Sequence, residues 1–559
     1  MHFRKLLALL AILLFSVSIN AQVYHQNGMV VSDNQIASEV GAEILEQGGN
    51  AMDATVATAL ALAVVHPQAG NIGGGGFIVY LDAEGFSTTF DFREKAPLAA
   101  TEDMFMDKNG EYIPMINHNG LLAVGVPGTV AGLWKAHQKA GRMPWADLVQ
   151  PAVELAENGF PLSFALAQHA ERYYNSNEDE FMRMFYTDED GNLLGFGDIW
   201  KQPELAETLK RIRDNGHDGF YKGETARLLA KHMAENGGII TEEDLAKYEA
   251  IERTPVKGTY KDYDIISMPP PSSGGASLIQ MMNMMEQVNW DEIEFNSTEY
   301  VHIVAESMRR AYADRAEHMG DPDFNPDMPI DRLISKEHAQ NRFSNIDWEK
   351  ASPSDSSKFG QLYDGKNTTH FSVIDKEGNA VSLTYTLEWS YGARTGSPEL
   401  GFILNNEMGD FNPVPGLTNS RGRIGSDPNL IRPEKRMLSS MTPTIIAKDG
   451  KPYLIIGTPG GRTIINTTFQ TVLNVLEFEM PLDKAIEAMK IHHQWLPDRI
   501  LYEGDLLSPD TRKALKAMGH NLESRYRLGR MMGIIWDQEN GVFIGASDSS
   551  SPDGGVAGY

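Results

Sequence analysis

The sequence predicts a layered α+β fold, in which stacked β-sheets pack against helices, rather than a fold of alternating strands and helices. The chain has 559 residues, more than one hydrophobic core usually supports. The part before residue 368 is dominated by helical periodicity. Beyond it, short strands follow one another between turns, with sequences such as FSVID, AVSLTYT, FILNN, PTIIA and YLIIG. No internal repeat is evident.

The first 21 residues have the layout of a secretory signal peptide. Basic Arg4 and Lys5 precede an apolar run, residues 6–15, and small Ala21 ends the segment. The run is short for a transmembrane helix, although an uncleaved signal anchor is an alternative. No other run of about 18 apolar residues occurs. The mature protein is therefore expected to be periplasmic or secreted, without a membrane span.

Two helices and a glycine-rich turn follow. Asn34 is expected to cap a helix over residues 35–47, which the Gly48-Gly49 pair ends. The second helix, residues 50–65, is apolar on nearly all sides and should be buried. The four glycines of NIGGGGFIVYLD then lead into a strand. They allow either a close backbone approach to a ligand or tight packing of helix and sheet.

The middle of the chain reads as helices joined by polar loops. Residues 145–261 are predicted to be mostly helical, and MPPPSSGG is a rigid turn. A methionine-rich helix, residues 276–288, should be core, and a long helix is expected over residues 298–318. Residues 341–366 are rich in Ser, Asp and Asn, which predicts an exposed, mobile connector.

Composition and missing motifs exclude several functions. The formal net charge of −27 is unfavourable for binding nucleic acid, and the absence of cysteine removes thiol and thiolate-metal chemistry. No serine-hydrolase elbow, zinc-protease helix, phosphate loop or dinucleotide fingerprint is present. Adjacent His492 and His493 face different ways, which favours structural roles. We predict neither a metal nor a cofactor.

Threonines at a loop-to-strand junction offer the remaining chemistry. In GKNTTHFSVID, Thr368 could act as a nucleophile if a base removed its proton. A free α-amino group would serve, so the Asn367-Thr368 bond would first have to break, by an N-to-O acyl shift and hydrolysis. A three-residue hairpin ending at Gly378 would set Thr368 opposite Thr386. Taken alone, these residues are more often simple strand formers.

Motifs along the whole mature chain resemble those of one known protein family. NTTHFSVID, TYTLE, FILNNEMGDF, RMLSSMTPT, GTPGGR and HHQWLPD resemble the small subunit of the γ-glutamyltranspeptidase family. GGNAMDATVATALALAVVHP, GGGGF, DFREKAP and VGVPGTVAG agree with its large subunit. The resemblance implies a four-layer αββα sandwich of the N-terminal nucleophile hydrolase type. It also implies a precursor that cuts itself into a large subunit, residues 22–367, and a small catalytic subunit, residues 368–559.

The resemblance assigns roles to the site residues. Thr368 would be the self-cleaving residue and the nucleophile, its freed amine the base, and Thr386 its orienting partner. Backbone N–H groups of Gly460 and Gly461 would form an oxyanion hole. Three residues would grip the substrate α-carboxylate and two would hold its ammonium: Arg93, Ser439 and Ser440 for the first, Glu407 and Asp410 for the second. Residues 412–436 match a loop that covers the site.

One departure and three alternatives remain. Glu388 stands where some members carry Asn, which adds a third carboxylate near the ammonium. The implied donors are glutathione and other γ-glutamyl compounds, with water, amino acids or peptides as acceptors, and the two subunits would form a heterodimer. A glutaryl or cephalosporin-type acylase and a poly-γ-glutamate transpeptidase are alternative enzymes. An inactive secreted binding protein is the non-enzymatic alternative.

Overall fold

The computed structural model describes residues 22–176, 179–188, 190–354, 368–416 and 426–559. The predicted signal peptide, Asn367, residues 355–366 of the predicted connector and the middle of the predicted covering loop lie outside these ranges. Within them, no helix has both the length and the apolar character that a membrane crossing requires.

Two seven-stranded antiparallel sheets form the centre of the fold. Sheet 1 consists, in spatial order, of β19 (Gly555–Gly558), β2 (Gly28–Ser32), β10 (Thr368–Asp375), β11 (Ala380–Thr386), β3 (Gly75–Leu81), β4 (Ser87–Phe92) and β7 (Ile251–Arg253). Sheet 2 consists of β1 (Val23–His25), β18 (Val542–Ser547), β17 (Met532–Asp537), β13 (Lys451–Gly457), β12 (Thr444–Lys448), β9 (Tyr263–Ser267) and β8 (Val256–Tyr260). Short strands β5 (Phe160–Pro161) and β6 (Ile199–Trp200) pair with each other, and β14 (Ile491–His492), β15 (Ile500–Glu503) and β16 (Leu522–Arg525) form a small third sheet.

Helices cover the outer face of each sheet. The sheet 1 side carries helices Gln35–Glu46, Ala51–Val65, Thr129–Ala140, Trp145–Asn158, Phe164–Ser176, Glu180–Met184, Pro203–Asn215, Asp218–Tyr221, Gly223–Glu235 and Glu242–Ala246. The sheet 2 side carries Gly274–Met285, Thr298–His318, Ile330–Leu333, Lys336–Phe343, Thr463–Leu476, Leu482–Glu487 and Pro509–Ala517. One apolar core lies outside each sheet and a third lies between them, which confirms the αββα sandwich.

Several predicted elements match the structure, and others differ from it. The long helix has the predicted bounds, and the methionines of Gly274–Met285 are fully buried, as expected for core. Asn34 caps its helix through a side-chain bond from the Ile36 N–H. FILNN is not a strand: Ile403 and Leu404 form only isolated bridges. Residues 145–261 also contain four short strands, β5 to β8, and β8 pairs with β9 in a hairpin whose turn consists of residues 261–262.

The glycine-rich turn serves the packing of backbone against backbone. A Cβ on Gly74 would lie 2.1 Å from the carbonyl oxygen of Thr386, and one on Gly76 would lie 2.5 Å from that of Thr384. Only glycine lets the chain entering β3 approach β11 so closely. The four glycines therefore fix the backbone around the end of β11, where Thr386 lies.

The predicted hairpin register is confirmed. Thr368 pairs with Thr386 across β10 and β11, and Gly378 in the connecting turn has a φ of 95°. Side chains alternate along β10, so Phe371 packs in the outer core and Ile374 in the core between the sheets. Thr368 shares the parity of Ile374, which points it into the space between the sheets.

His370 is structural. Its imidazole is fully buried between the sheets and hydrogen-bonds to Thr384 Oγ1 at 2.8 Å and Ser372 Oγ at 3.1 Å. Burial lowers the pKa of His370 to about 3 from the usual 6.5. The folded protein therefore keeps this imidazole neutral over a pH range in which the unfolded chain protonates it.

Replacing His370 by asparagine is expected to flatten the acid dependence of stability. Between pH 6.5 and about 3 the unfolded chain binds one more proton at this position, so the free energy of unfolding falls as pH falls. One such proton changes it by about 1.4 kcal/mol per pH unit. Urea unfolding at several pH values between 7 and 5 measures the slope. An identical slope in the variant would contradict the assigned pKa.

Candidate active site

Two paired threonines, Thr368 and Thr386, lie at the centre of the candidate site. Thr368 Oγ1 donates a hydrogen bond to Thr386 Oγ1 over 3.3 Å, and both side chains are buried. The backbone N–H of Glu388 also donates to Thr386 Oγ1, at 2.8 Å. Glu388 adopts a φ of 74°, which is uncommon for a residue with a branched or long side chain. This turn holds Thr386 so that its hydroxyl oxygen faces the Thr368 hydroxyl.

Nine of the ten residues predicted for catalysis and substrate binding line one pocket. The lining consists of Arg93, Thr368, Thr386, Glu388, Glu407, Asp410, Ser439, Ser440, Met441, Gly461, Arg462 and Ile464. The tenth predicted residue, Gly460, directly precedes Gly461. Sheet 1, several loops and the first turn of helix Thr463–Leu476 contribute lining residues, although Arg93 and Asp410 lie more than three hundred positions apart. The pocket opens where the ends of β10 and β11 meet the loop after β13.

The charged residues of the pocket contact one another directly. Arg93 follows β4 and binds Glu407 through one guanidinium nitrogen and Asp410 through the other. Arg93 and Glu407 are each 1% exposed. The sequence motifs assign Arg93 to one end of the substrate and Glu407 and Asp410 to the other. In the structure these three side chains contact one another, because buried charges need partners.

Burial and mutual attraction set the protonation of this cluster. Burial opposes the charge of Arg93, but the Glu407 and Asp410 carboxylates outweigh it and raise the Arg93 pKa. Burial raises the pKa of Glu407 well above its usual range, in spite of Arg93. Glu94, fully buried with Oε2 3.7 Å from Arg93, has a pKa raised by the same cause. The cluster thus holds more carboxyl groups than cations, a set that suits a cationic ligand group.

Glu388 has a partner that the sequence did not suggest. His118 Nδ1 lies 3.2 Å from Glu388 Oε2, and the imidazole stacks on Trp389 with ring centroids 4.5 Å apart. Burial acts against protonation of His118, but the Glu388 carboxylate outweighs it and raises the His118 pKa. Burial in turn raises the pKa of Glu388. His118 therefore fixes the orientation of the Glu388 carboxyl group.

Two serines form another wall of the pocket. Ser439 and Ser440 lie in the loop before β12, which the MPPPSSGG turn holds in place. Ser273 of that turn donates both its N–H and its hydroxyl to the Ser439 carbonyl oxygen, at 2.9 and 2.7 Å. The Ser439 hydroxyl accepts from the Met441 N–H at 3.1 Å. The rigid turn predicted from three prolines thus positions a wall of the site.

The glycine pair lies between β13 and helix Thr463–Leu476. Gly460 and Gly461 have φ values of 141° and 60°, which side-chain-bearing residues rarely adopt. Without side chains, their peptide groups can approach a reacting carbonyl closely. The Gly460 carbonyl accepts the Thr463 hydroxyl at 2.8 Å, which braces the loop. Their role as an oxyanion hole stays a prediction.

Sequence reasoning missed residues of two kinds. Met441, Arg462 and Ile464 each follow a predicted residue closely in the chain, so extending the predicted set by a few positions could have found them. Glu94 is likewise the neighbour of Arg93. His118 reaches the site only through the tertiary fold, 270 positions from Glu388, and no local pattern reveals it. His492 and His493 lie elsewhere and bond to protein groups, including Gln494 and Asp498.

The arrangement can perform acyl transfer on a zwitterionic substrate. A buried threonine hydroxyl supplies a nucleophile, and glycine peptide groups lie beside it. Arginine and two serine hydroxyls suit a carboxylate, while three carboxyl groups suit an ammonium. The described residues of the pocket contain no cysteine or histidine, so the groups that could act as a base are the carboxyl groups and, after a cut before Thr368, the amine of Thr368.

Comparisons with known proteins agree with this chemistry. The family model described as gamma-glutamyltranspeptidase matches residues 37–559. The chain is 44% identical to the "Glutathione hydrolase proenzyme" of Escherichia coli (strain K12), over 97% of this chain and 94% of that protein.

Two solved structures share the fold. Cephalosporin acylase from Bacillus halodurans has a TM-score of 0.82 and 25% identity, with 96% of this chain and 97% of that chain covered. Helicobacter pylori gamma-glutamyltranspeptidase has a TM-score of 0.55 and 46% identity, with 57% of this chain and 91% of that chain covered. Together with the match over residues 37–559, these similarities show that the chain belongs to the γ-glutamyltranspeptidase family.

Proposed function

We propose that this protein is an exported γ-glutamyltransferase and glutathione hydrolase that uses Thr368 as an N-terminal nucleophile. The observation that carries the proposal is the single pocket in which the paired threonines lie beside charged groups of both signs. Family membership supports the reaction class, since a relative of 44% identity is a glutathione hydrolase proenzyme. Export rests on the sequence of residues 1–21.

The precursor would first cut its own chain before Thr368. Thr368 Oγ1 attacks the carbonyl carbon of residue 367, and the peptide bond gives way to an ester as the nitrogen takes a proton. Water then hydrolyses the ester, which leaves a carboxylate on residue 367 and a free amine on Thr368. That amine has a pKa of roughly 7.7 to 8.0 in the absence of perturbation, which suits a base at neutral pH.

Turnover would follow the same chemistry on the substrate. Thr368 Oγ1 attacks the γ-carbonyl carbon while its amine takes the hydroxyl proton, and the N–H groups of Gly460 and Gly461 bind the oxyanion. The amine then gives the proton to the leaving nitrogen, and a γ-glutamyl ester of Thr368 remains. Water attacking the ester yields glutamate, and an amino acid or peptide yields a new γ-glutamyl amide.

Donor recognition would exchange ion pairs within the pocket. The α-carboxylate of the donor binds Arg93 with the hydroxyls of Ser439 and Ser440, and its ammonium binds Glu407 and Asp410. In the structure Arg93 already binds both carboxylates. The zwitterion supplies one charge of each sign, so no buried charge loses its compensation when the ligand enters.

The proposal is tested by comparing two chromogenic donors on purified protein. We expect γ-glutamyl-p-nitroanilide to be hydrolysed much faster than glutaryl-p-nitroanilide, which lacks the ammonium group. A buried charge pair of this kind is worth roughly 2 to 5 kcal/mol, or a preference of about 30-fold or more. A preference for the glutaryl compound would instead indicate an acylase, the function named for the structurally similar Bacillus halodurans protein.

A further inference from the structure

A buried arginine lies directly behind the serine wall of the pocket. Arg315 belongs to the last turn of helix Thr298–His318 and is 5% exposed. Its Nε donates to Ser273 Oγ at 2.8 Å and its NH2 group donates to Ser440 Oγ at 3.0 Å. Ser440 lines the pocket and Arg315 does not. One hydroxyl group therefore separates this guanidinium from whatever occupies the pocket.

The charge of Arg315 is not neutralised by an ion pair. Its neighbours on the same helix, Arg309 and Arg310, each pair with Glu306. Among the residues that the structure describes, no carboxylate lies within ion-pair distance of Arg315. Burial lowers the Arg315 pKa, with Tyr312 and Asp410 acting in the opposite direction, but a guanidinium stays charged at neutral pH. A buried cation of this kind stabilises an anion bound nearby.

The serine hydroxyls are left free to donate. Ser440 Oγ accepts from Arg315, and Ser439 Oγ accepts from the Met441 N–H. In the described ranges neither hydroxyl donates its own hydrogen to a protein group. A serine hydroxyl carries one hydrogen, so each can point it into the pocket. The Arg315 contact thus enforces donation by Ser440, since a hydroxyl that accepts an N–H bond directs its hydrogen elsewhere.

We propose that Arg315 is a positioning residue for recognition of the donor α-carboxylate. It holds Ser440 with the hydroxyl hydrogen toward the pocket, and its uncompensated charge strengthens that hydrogen as a donor to an anion. The inference rests on the proposed function, because it concerns how a γ-glutamyl donor is bound. Arg93 contacts the carboxylate itself, whereas Arg315 acts on it through Ser440.

The test compares two donors that differ only in the α-carboxylate. γ-Glutamyl-p-nitroanilide carries the group, and 4-aminobutanoyl-p-nitroanilide lacks it. In Arg315→Gln we expect the KM for the γ-glutamyl donor to rise roughly tenfold or more, with a smaller change in kcat. The ratio of kcat/KM for the γ-glutamyl donor to that for the 4-aminobutanoyl donor should fall by a similar factor.

Four further variants separate positioning from structural support. Arg315→Lys keeps the charge and should restore part of the ratio, and it remains informative if Arg315→Gln misfolds. Ser440→Ala combined with Arg315→Gln should give the same ratio as Ser440→Ala alone, because the arginine acts through the serine. Arg310→Gln is the matched control, since Arg310 is similarly buried on the same helix but binds Glu306. Its ratio should equal that of the wild type.

The outcomes have distinct meanings. A wild-type protein that hydrolyses neither donor overturns both the proposed function and this inference. A wild type that prefers the γ-glutamyl donor, together with an Arg315→Gln ratio that is unchanged, overturns the inference alone and leaves the function standing. Independent effects of Arg315→Gln and Ser440→Ala, in the form of ratios that multiply in the double variant, likewise contradict action through Ser440.

Discussion

Thr368→Ala is expected to give a single uncut chain without measurable turnover. The substitution removes the oxygen that attacks residue 367 in the precursor and the γ-carbonyl of the donor afterwards. Loss of a nucleophile of this kind typically lowers kcat by about 10⁴- to 10⁶-fold. Mass spectrometry of the purified protein measures cutting, and hydrolysis of γ-glutamyl-p-nitroanilide measures turnover. In the wild type the shorter chain should begin at Thr368.

Thr369→Val is the matched control for this prediction. Thr369 is the next residue in β10 and points to the opposite face of sheet 1, where its hydroxyl donates to Asp33 Oδ2 at 2.7 Å. Valine keeps the β-branched shape, so the strand should be retained. We expect a stability loss of about 1 to 3 kcal/mol, with cutting and turnover preserved. A Thr368→Ala protein that still splits before residue 368 would show that another group is the nucleophile.

Arg93→Met should produce the second large effect. Without the guanidinium, Glu407 and Asp410 lose the buried cation that both contact. Breaking a buried ion pair by removing one partner costs about 3 to 5 kcal/mol of unfolding free energy. The α-carboxylate of the donor loses its partner as well, so we expect the KM to rise by about 100-fold or more. Urea unfolding and steady-state kinetics measure the two effects.

Arg436→Met separates loss of stability from loss of recognition. Arg436 is also buried, with Nε 3.4 Å from Asp91 Oδ1, but it does not line the pocket. The Arg436→Met substitution should lower the free energy of unfolding while leaving the KM for the γ-glutamyl donor near that of the wild type. If Arg93→Met lowered stability without raising the KM, the assignment of Arg93 to the donor carboxylate would be wrong.

The sequence predicted the site best where local geometry determines position. A three-residue turn ending in glycine defines the pairing of β10 with β11. Counting residues outward from that turn was therefore enough to predict Thr386 as the partner of Thr368. FILNN failed because an apolar run of strand-like residues forms a strand only if a partner edge is available. The ion pair between Arg93 and Glu407 joins residues 314 positions apart, and only the whole fold brings them together.

The remaining site residues also divide into those that a local motif predicts and those that only the whole fold brings to the site. The serine wall was found through its motif, but its support by Arg315 was not, since a charged residue in a long helix is normally read as solvent-exposed. The pairing of His118 with Glu388 depends on a loop that has no regular pattern. Predictions based on residue type thus identified groups that line the pocket but not the groups that hold them in place.

The strand order of the two sheets determines what a cut before Thr368 could do to the molecule. In sheet 1, β2 lies between β19 and β10, and β11 lies next to β3, so strands that precede residue 368 pair with strands that follow it at three places in the sheet. Sheet 2 also combines the two parts, because β9 from the first half pairs with β12 from the second. Hydrogen-bonded ladders would bind the two pieces as closely as the rest of the chain is bound. The cut protein is best regarded as one interwoven body with a nick, in which covalent continuity contributes little to cohesion.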